Sequence, residues 1–182
     1  MIDTTSSKTV YEGHVFNIRI ETTRKQDGDL YQREIVDHPG GVAIVPLDEQ
    51  DRVVLVRQYR AAIGSTLLEI PAGTIESGES ACATASRELR EEIGMCAEKL
   101  CPIVEFYLAP GYTTELMHIF LATGLTPNPL PADVDEEIEL EFMPFDGLLD
   151  RVILGEIRDA KTIAAALFVA QQRQASQEHP RT

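Results

Sequence analysis

Three glutamates that could bind a metal ion lie within one short segment: Glu88, Glu91 and Glu92. If the segment is helical, a rotation of about 100° per residue places the three carboxylates within an arc of about 100° on one face. Like charges at this spacing repel by roughly 0.2–0.5 kcal/mol per pair in water, and no lysine lies four residues away to offset the repulsion. A divalent cation would offset it, and ligands that are all oxygen suit Mg²⁺ or Mn²⁺. The alternative is a solvated acidic helix face.

The residues around these glutamates follow a fixed spacing over 23 positions. The constrained positions are Gly73, Glu79, Arg87, Glu88, Leu89, Glu91, Glu92, Gly94 and Met95. This order and spacing match the Nudix box, and the chain therefore resembles the Nudix hydrolases. Nine matched positions are not expected by chance, and the resemblance of fold and strand order extends over roughly residues 10–175.

The resemblance implies a fold as well as a chemistry. The fold is α/β (α+β), an α/β/α sandwich with a mixed sheet, preceded by antiparallel N-terminal strands. The implied metal ligands are the carbonyl of Ala72 and the side chains of Glu88, Glu91 and Glu92, with Mg²⁺ as cofactor and Mn²⁺ as the alternative. Arg87 would hold carboxylates in place through a bidentate pair, as part of the catalytic group, and Glu79 would make a structural or outer contact.

Nudix hydrolases cleave a nucleoside diphosphate linked to another group. Metal ions neutralise phosphate oxygens and lower the pKa of a bound water, and a carboxylate outside the metal shell takes the proton. We expect this base within the second acidic segment, 133–141. A calcium loop is poorly supported there because its sixth position requires glycine and is Ile138; a solvated acidic loop remains open. Resemblance to the ADP-ribose branch of the family implies Glu137 as the base, with Glu136 as the alternative.

Residues after the box resemble those of the ADP-ribose pyrophosphatases within the family. Pro110 lies 15 residues beyond Met95, although this branch commonly has serine where Ala109 stands. The segment from Gly111 to Glu115 resembles the loop in which a glutamate meets the terminal ribose. The resemblance therefore implies Pro110, Gly111 and Glu115 as substrate-binding residues.

Residues before the box complete the implied substrate site. The segment Leu55–Arg60 resembles the arginine-bearing strand end of this branch, and Arg60 would hold a phosphate through two hydrogen bonds. Arg33 and Glu34 would meet the adenine region, either within one chain or across a dimer. For each arginine, an ordinary surface charge remains the alternative.

The N-terminal strands resemble a dimerising region, so we expect a homodimer. An aromatic ring such as Phe16 or Tyr31 is a candidate for stacking on adenine, with a place in the core as the alternative. The resulting organisation has three parts. They are N-terminal strands that dimerise (1–40), a catalytic domain (41–175, with the box at 73–95) and a frayed tail (176–182).

The apolar pattern predicts the elements that must position these residues. Residues 80–93 are the clearest helix, because Ser80 can cap it and Gly94 can end it. The predicted strands are Val10–Phe16, Asn17–Thr23, Leu30–Val36, Val42–Leu47, Val53–Arg57, Ile103–Leu108, His118–Ala122 and Ile138–Met143. Residues 26–29 carry a hairpin-turn signal. Asp146–Leu154 and Lys161–Gln174 are predicted as further helices.

The charge of the chain limits the classes of function. The 182 residues suffice for one domain, and their formal net charge is −14. Seven acidic and two basic residues lie within 69–98, and eight acidic and no basic residues within 133–150, so these segments carry −13 of the −14. The overall charge disfavours nucleic-acid polymers and anionic membranes as partners. It does not disfavour a small diphosphate, because cations held by these acids would supply positive charge.

Hydropathy and cysteine usage give the expected location. No apolar run approaches the roughly 18–20 residues of a membrane span, and the N-terminus lacks the regions of a signal peptide. Three cysteines without paired spacing fit free thiols in a reducing compartment. We therefore expect the protein in the cytoplasm.

The sequence leaves three hypotheses of function. The leading one is Mg²⁺-dependent hydrolysis of ADP-ribose to AMP and ribose 5-phosphate. The second is a Nudix pyrophosphatase for another nucleoside diphosphate compound, such as a nucleotide sugar, NADH or a flavin dinucleotide. The third is a nucleotide-sensing module that has lost hydrolysis, against which the intact glutamates of the box argue.

Overall fold

Three N-terminal strands form a sheet of their own. The structure, a computed structural model, describes residues 3–131 and 138–178. The strands β1 (Asp3–Glu12), β2 (Asn17–Arg24) and β3 (Leu30–Asp37) pair antiparallel in that order. The predicted hairpin turn between β2 and β3 is confirmed, since the Lys25 N–H donates to the Asp29 carbonyl (2.9 Å) and Gly28 has a φ of 93°.

The predicted strand Val10–Phe16 is wrong in its second half. β1 ends at Glu12, and residues 13–16 form the tight connection to β2. In this connection the Gly13 N–H donates to the Phe16 carbonyl (3.1 Å) and to Asn17 Oδ1 (3.2 Å). Val15 and Phe16 gave the segment a strand-like apolar pattern, but both side chains are exposed in the turn.

Two further sheets contain the remaining strands. One is mixed, in the order β7-β4-β9-β8, and consists of β4 (Gly41–Pro46), β7 (Ala72–Thr74), β8 (Met95–Tyr107) and β9 (Leu116–Pro127). The other has the order β10-β5-β6 and consists of β5 (Arg52–Arg60), β6 (Ser65–Glu69) and β10 (Glu139–Pro144). β4 and β9 run parallel, and the other pairs of these two sheets run antiparallel.

Helices cover both faces of the central strand β4. They are α1 (Ala81–Glu92), α2 (Phe145–Ile153) and α3 (Ala160–Glu178). Val42 packs in an apolar cluster with Leu89 of α1, whereas Val45 packs in a second cluster with Val169 of α3. Because successive side chains of a strand point to opposite faces, α1 and α3 lie on opposite sides of β4. This arrangement confirms the predicted mixed sheet between helices. Among the described residues, no helix combines the length and apolarity that crossing a bilayer requires.

Several predicted elements differ from the structure in length. β6 and β7 were not predicted, because they contain only five and three residues. β8 and β9 extend well beyond Ile103–Leu108 and His118–Ala122, since their pairing continues to Met95 opposite Pro127 through residues that are partly buried or exposed. Helix α3 includes residues 176–178 of the predicted frayed tail, and 179–182 lie outside the described residues.

The end of β3 joins the N-terminal sheet to the loop between β8 and β9. The Val36 N–H donates to the Tyr112 carbonyl (2.8 Å), and the Thr114 N–H donates to the Val36 carbonyl (3.0 Å). The His38 N–H adds a bond to Thr114 Oγ1 (2.9 Å). The loop that contains Pro110 is therefore tied to the N-terminal sheet as well as to its own strands.

A group of charged side chains around Glu69 attaches α3 to the sheet. Glu69, at the end of β6, is 1% exposed and accepts hydrogen bonds from Arg60 Nε (2.8 Å), Arg60 Nη2 (2.7 Å) and Lys161 Nζ. Burial alone would raise the pKa of Glu69, but the hydrogen bonds from Arg60 and the charge of Lys161 outweigh it and hold the pKa below its ordinary value of 4.5. Thr162 Oγ1 adds a buried bond by accepting the Ile70 N–H (2.9 Å).

Acid should destabilise the fold partly through Glu69. Because the pKa of this carboxyl is lower in the folded than in the unfolded chain, its stabilising contribution is complete above about pH 4.5 and is lost as the pH falls further. Glu69→Gln should lower the free energy of unfolding at pH 7 by about 3 kcal/mol or more, since Arg60 and Lys161 lose their shared partner. The difference from wild type should shrink near pH 3.5. Urea denaturation at both pH values measures this.

Glu141→Gln is the matched control for this change. Glu141 also joins two cations, Arg57 and Arg151, but it lies half-buried at the surface. Its loss should cost about 1 kcal/mol or less at pH 7. If Glu69→Gln differed from wild type by the same amount at pH 7 and near pH 3.5, the contribution assigned to the Glu69 carboxylate would be wrong.

Candidate active site

The box forms a strand, a loop and helix α1. Ser80 caps the helix through its Oγ, which accepts the Ala83 N–H (3.2 Å), as the sequence predicts. After Ile93, Gly94 has a φ of 68°, a conformation that favours glycine and ends the helix. Leu89 and Ile93 pack in the core and fix which face of α1 lies against the sheet. With the helix in this orientation, the glutamates next to these core residues lie against the loop that precedes α1.

Glu88 and Glu92 lie against the start of the box loop, and each is 8% exposed. Glu92 Oε2 accepts the Ala72 N–H (3.0 Å). A Cβ atom on Gly73 would lie only 1.8 Å from Glu88 Oε1 and 2.0 Å from Glu88 Cδ. The first glycine of the box is therefore required to leave space for a carboxylate, in addition to its place in the turn.

Arg87 lies among the acidic side chains of the box. Its Nη1 donates to Glu88 Oε1 (2.8 Å) and Glu91 Oε2 (2.7 Å), while Nε and Nη2 donate to the two carboxylate oxygens of Glu79 (3.2 and 3.1 Å). Hydrogen bonds to Glu79 and Glu91 hold the pKa of Arg87 above its ordinary value, and the hydrogen bonds from Arg87 and Thr84 lower the pKa of Glu79. Arg87 therefore offsets the repulsion between these carboxylates, for which the sequence offers no lysine at the matching spacing.

The donor set suits a hard divalent cation by its chemistry. The titratable ligands that α1 offers beside the loop are carboxylates, and Mg²⁺ is commonly bound by one or two carboxylates while it keeps several waters. Within residues 3–131 and 138–178, no three His, Cys, Asp or Glu side chains converge as a preformed metal cage. Arg87 lies between Glu88 and Glu91 instead. The residues present therefore fit a partly hydrated ion better than one enclosed by protein ligands.

Two adjoining cavities open beside the box loop. The larger, of about 1190 Å³, lies between the β1–β2 turn (Gly13–Asn17) and the box loop (Ala72–Glu79). The smaller, of about 280 Å³, is bounded by the start of the same loop and by Arg60, Glu115 and Lys161. Cavities of this size hold small organic ligands. The carboxylates of the box thus lie next to space that a nucleotide could fill.

The structure brings several of the predicted substrate residues to these cavities. Arg60 and Glu115 line the smaller cavity together with Ala72. Phe16 lines the larger cavity. Pro110 and Gly111 lie in the turn between β8 and β9 and do not belong to the lining of either cavity.

Arg33 and Glu34 line neither of the two cavities beside the box. Both lie on β3. Arg33 donates to Thr23 Oγ1 (3.0 Å) and lines, with Tyr31, a separate cavity of about 630 Å³ at the hairpin end of the N-terminal sheet.

The expected base, Glu137, and its alternative, Glu136, lie outside the residues that the structure describes. Strand β10 follows them and is described. It pairs antiparallel with β5, with Glu139 opposite Arg57. The strand that follows these glutamates therefore lies beside the strand that ends at Arg60.

Sequence reasoning missed Lys161, which lines the smaller cavity, and its pairing with the buried carboxylate of Glu69. Asp159 caps α3, since its Oδ2 accepts the Thr162 N–H (2.9 Å), and this pattern could have indicated the start of the helix. No local pattern could have paired Lys161 with Glu69, which lies 92 positions earlier. The turn at residues 13–17 was missed because it was predicted as strand.

Fold and site together define a domain built around an acidic loop-and-helix motif. Residues 37–166 match the family model of the NUDIX domain, and the chain therefore belongs to the NUDIX family. An ADP-ribose pyrophosphatase of Bacillus subtilis (strain 168) is 36% identical over 168 residues, which cover 91% of each chain. A GDP-mannose pyrophosphatase of Cronobacter sakazakii (strain ATCC BAA-894) is 36% identical over 159 residues, 81% of this chain and 82% of the relative. The crystal structure of an ADP compounds hydrolase superposes with a TM-score of 0.83 at 25% identity, covering 100% of this chain and 97% of that one.

Gly73→Ala should disable the site without unfolding the chain. The added Cβ would overlap the Glu88 carboxylate, which is the end of a flexible side chain and can move at small cost to stability. We expect hydrolysis to fall about 100-fold or more, because the displaced charge no longer lies beside the loop. The free energy of unfolding should stay within about 1 kcal/mol of wild type. Steady-state kinetics and urea denaturation measure the two effects.

Gly147→Ala is the control for adding a methyl group. Gly147 lies in α2, where a Cβ would meet only Pro144 Cδ, at 3.9 Å, apart from its own helix. This variant should keep full activity and gain about 0.5–1 kcal/mol of stability from helix propensity. Wild-type activity in Gly73→Ala would show that hydrolysis does not need Glu88 where the structure places it.

Proposed function

We propose that this chain hydrolyses the diphosphate bond of ADP-ribose, with Mg²⁺ as cofactor, to AMP and ribose 5-phosphate. The observation that carries the proposal is the position of Glu88 and Glu92 beside the loop that borders both cavities. ADP-ribose is favoured because the relative of that name matches 91% of the chain. Arg60 and Glu115, the residues implied for a phosphate and for the terminal ribose, both line the smaller cavity.

The proposed metal ligands are Glu88, Glu91, Glu92 and the carbonyl of Ala72, with Mn²⁺ as an alternative ion. When bound, the metal supplies charge neutralisation for phosphate oxygens and a water of lowered pKa. Arg87 holds Glu88 and Glu91 through hydrogen bonds, so these carboxylates need little reorganisation during the reaction. In this proposal Glu137, or Glu136 in its place, takes the proton from the attacking water.

The two cavities suggest how the substrate lies. The larger cavity receives the adenosine, where Phe16 of the β1–β2 turn offers an aromatic face. Arg60 donates hydrogen bonds to the diphosphate at the border of the smaller cavity, and Glu115 accepts hydrogen bonds from the hydroxyls of the terminal ribose. In this proposal Pro110 and Gly111, which lie between β8 and β9 like Glu115, help to hold Glu115 beside the substrate.

A substrate panel with identified products tests the proposed activity. Purified chain and Mg²⁺ are incubated with ADP-ribose, GDP-mannose, NADH and a flavin dinucleotide, and the products are separated by chromatography. We expect the highest kcat/KM for ADP-ribose, equal amounts of AMP and ribose 5-phosphate, and loss of turnover in EDTA that Mg²⁺ restores. GDP-mannose is the compound in the second relative's name. A higher kcat/KM for GDP-mannose than for ADP-ribose would make it the preferred substrate and contradict the proposal. Binding of ADP-ribose without product would favour the nucleotide-sensing alternative.

The acid–base role is tested by paired glutamine variants. Glu137→Gln should lower kcat about 100-fold while the Mg²⁺ concentration for half-maximal activity stays the same, because the residue lost is a base. Glu92→Gln should raise that Mg²⁺ concentration, because the residue lost is a metal ligand. Kinetics over a Mg²⁺ titration separate the two. If Glu136→Gln gives the kcat effect and Glu137→Gln does not, the base is Glu136.

We also propose a homodimer formed through residues 1–40, with 41–175 as the catalytic part. Large apolar side chains on the N-terminal sheet are about half exposed, which is the kind of surface that partners cover. They are Val10, Tyr11, Leu30 and Tyr31. In this proposal a second copy would also bring Arg33 and Glu34 to the box, whose two cavities they do not line within one chain. Light scattering of the purified chain measures the mass, and a monomer would contradict the proposal.

The proposed compartment is the cytoplasm, and the proposed partner is a small nucleotide rather than a nucleic-acid polymer or a membrane. Cys82, Cys96 and Cys101 carry free thiols, which fits a reducing compartment. The acidic composition, with a net charge of −14, disfavours polyanionic surfaces.

A further inference from the structure

The charged group around Glu69 forms part of the wall of the smaller cavity. Both of its cations, Arg60 and Lys161, line that cavity. They meet at one atom, because Arg60 Nη2 and Lys161 Nζ both donate to Glu69 Oε2. Lys161 also donates to Asp159 Oδ1 (2.9 Å), which caps α3. The guanidinium of Arg60 is thus linked through one buried carboxylate to the first turn of the C-terminal helix.

Arg60 also lies beside the box loop, because it lines both cavities together with Ala72 and Gly73. Its hydrogen bonds to Glu69 are the largest cause of a raised pKa, and the charges of Glu92 and Asp159 raise it further. Glu92 in turn accepts the Ala72 N–H at the start of the box loop. A cation held by the box carboxylates would attract an anion to this loop. That anion would therefore lie close to Arg60.

Stability alone does not explain why these charges are kept. Removing an ion from water costs several kcal/mol, and apolar residues of similar volume often stabilise a core as well as a buried ion pair does. Other bonds already hold the same elements, since all of β6 pairs with the second half of β5 and Thr162 accepts the Ile70 N–H. A long arginine side chain at the edge of a cavity, however, needs a partner to fix its orientation before a ligand arrives.

We propose that Glu69 and Lys161 are positioning residues that orient Arg60 toward the diphosphate of the substrate. Glu69 engages Nε and Nη2 of the guanidinium, so that the other terminal nitrogen, Nη1, can serve a phosphate oxygen. Lys161 holds the carboxylate of Glu69 from the side of α3 and offsets its charge. The inference rests on the proposed function, because it needs a diphosphate at the border of the smaller cavity.

Lys161→Met, Lys161→Arg, Arg60→Gln and the double variant Arg60→Gln/Lys161→Met test the proposal. Lys161→Met should lower kcat/KM for ADP-ribose about 10-fold to 100-fold, mainly through a higher KM, as losses of supporting residues in other polar sites do. Lys161→Arg should recover most of it, because it keeps the charge and the hydrogen bond to Glu69. The double variant should be no worse than Arg60→Gln alone, since Lys161 acts through Arg60.

Arg173→Gln is the control for losing a charged anchor of α3. Arg173 makes a bidentate pair with Asp51 (2.9 and 2.5 Å), and neither residue lines the two cavities. This variant should lower the melting temperature and leave KM unchanged. Circular dichroism checks the folding of each variant, and Lys161→Gln, which keeps a hydrogen-bond donor, replaces Lys161→Met if that variant does not fold.

The possible results separate the roles. A lower melting temperature with unchanged KM in the Lys161 variants would make Glu69 and Lys161 structural only and overturn the proposal. Additive losses in the double variant would show that Lys161 contacts the substrate itself, which would also overturn it. If the wild type did not hydrolyse ADP-ribose, the proposed function would fail and this inference with it. Hydrolysis by the wild type with unchanged variants would overturn the inference alone.

Discussion

The need to hold several carboxylates close together at low exposure is the constraint on which the site depends. Unpaired negative charges in such a place would repel strongly, because the surrounding protein screens them much less than water does. One guanidinium, that of Arg87, relieves this repulsion by bonding to Glu79, Glu88 and Glu91. The helix can therefore carry its acids beside the loop before any metal binds. Part of the local excess of negative charge is thus paired with Arg87 rather than left to solvent.

The architecture supplies this site from the ends of its elements. β4 is buried on both faces between α1 and α3. Because β7 pairs with β4, the position of β4 also fixes where the box loop begins. β5 ends at Arg60, and β6 ends at Glu69. Lys161 lies in the first turn of α3. Each element is held by apolar packing, and the polar group at its end is oriented by that packing.

The parts of the site that depend on local spacing could be predicted from the sequence. The helix, its cap at Ser80 and its end at Gly94 follow from residues close together along the chain. The ion pair of Arg87 with Glu91, four residues apart, is equally local, and the resemblance to the box already implied that Arg87 holds carboxylates. The pairing of Glu69 with Lys161 could not be found in this way, because only the complete fold brings the two together. The strand predicted over Val10–Phe16 failed because an apolar pattern does not distinguish a strand from an exposed turn that borders a cavity.

The turn at residues 13–17 has a consequence for how proteins of this kind diverge. It forms one wall of the larger cavity, whereas the match to the NUDIX domain begins only at residue 37. The acids of the box and the opposing wall are therefore encoded in separate stretches of chain, one of which lies outside the matched domain. Replacement of the first 36 residues would reshape the larger cavity and leave every carboxylate of the box unchanged. Under the proposed function, the fit of the nucleoside and the chemistry of the box could therefore change independently of each other.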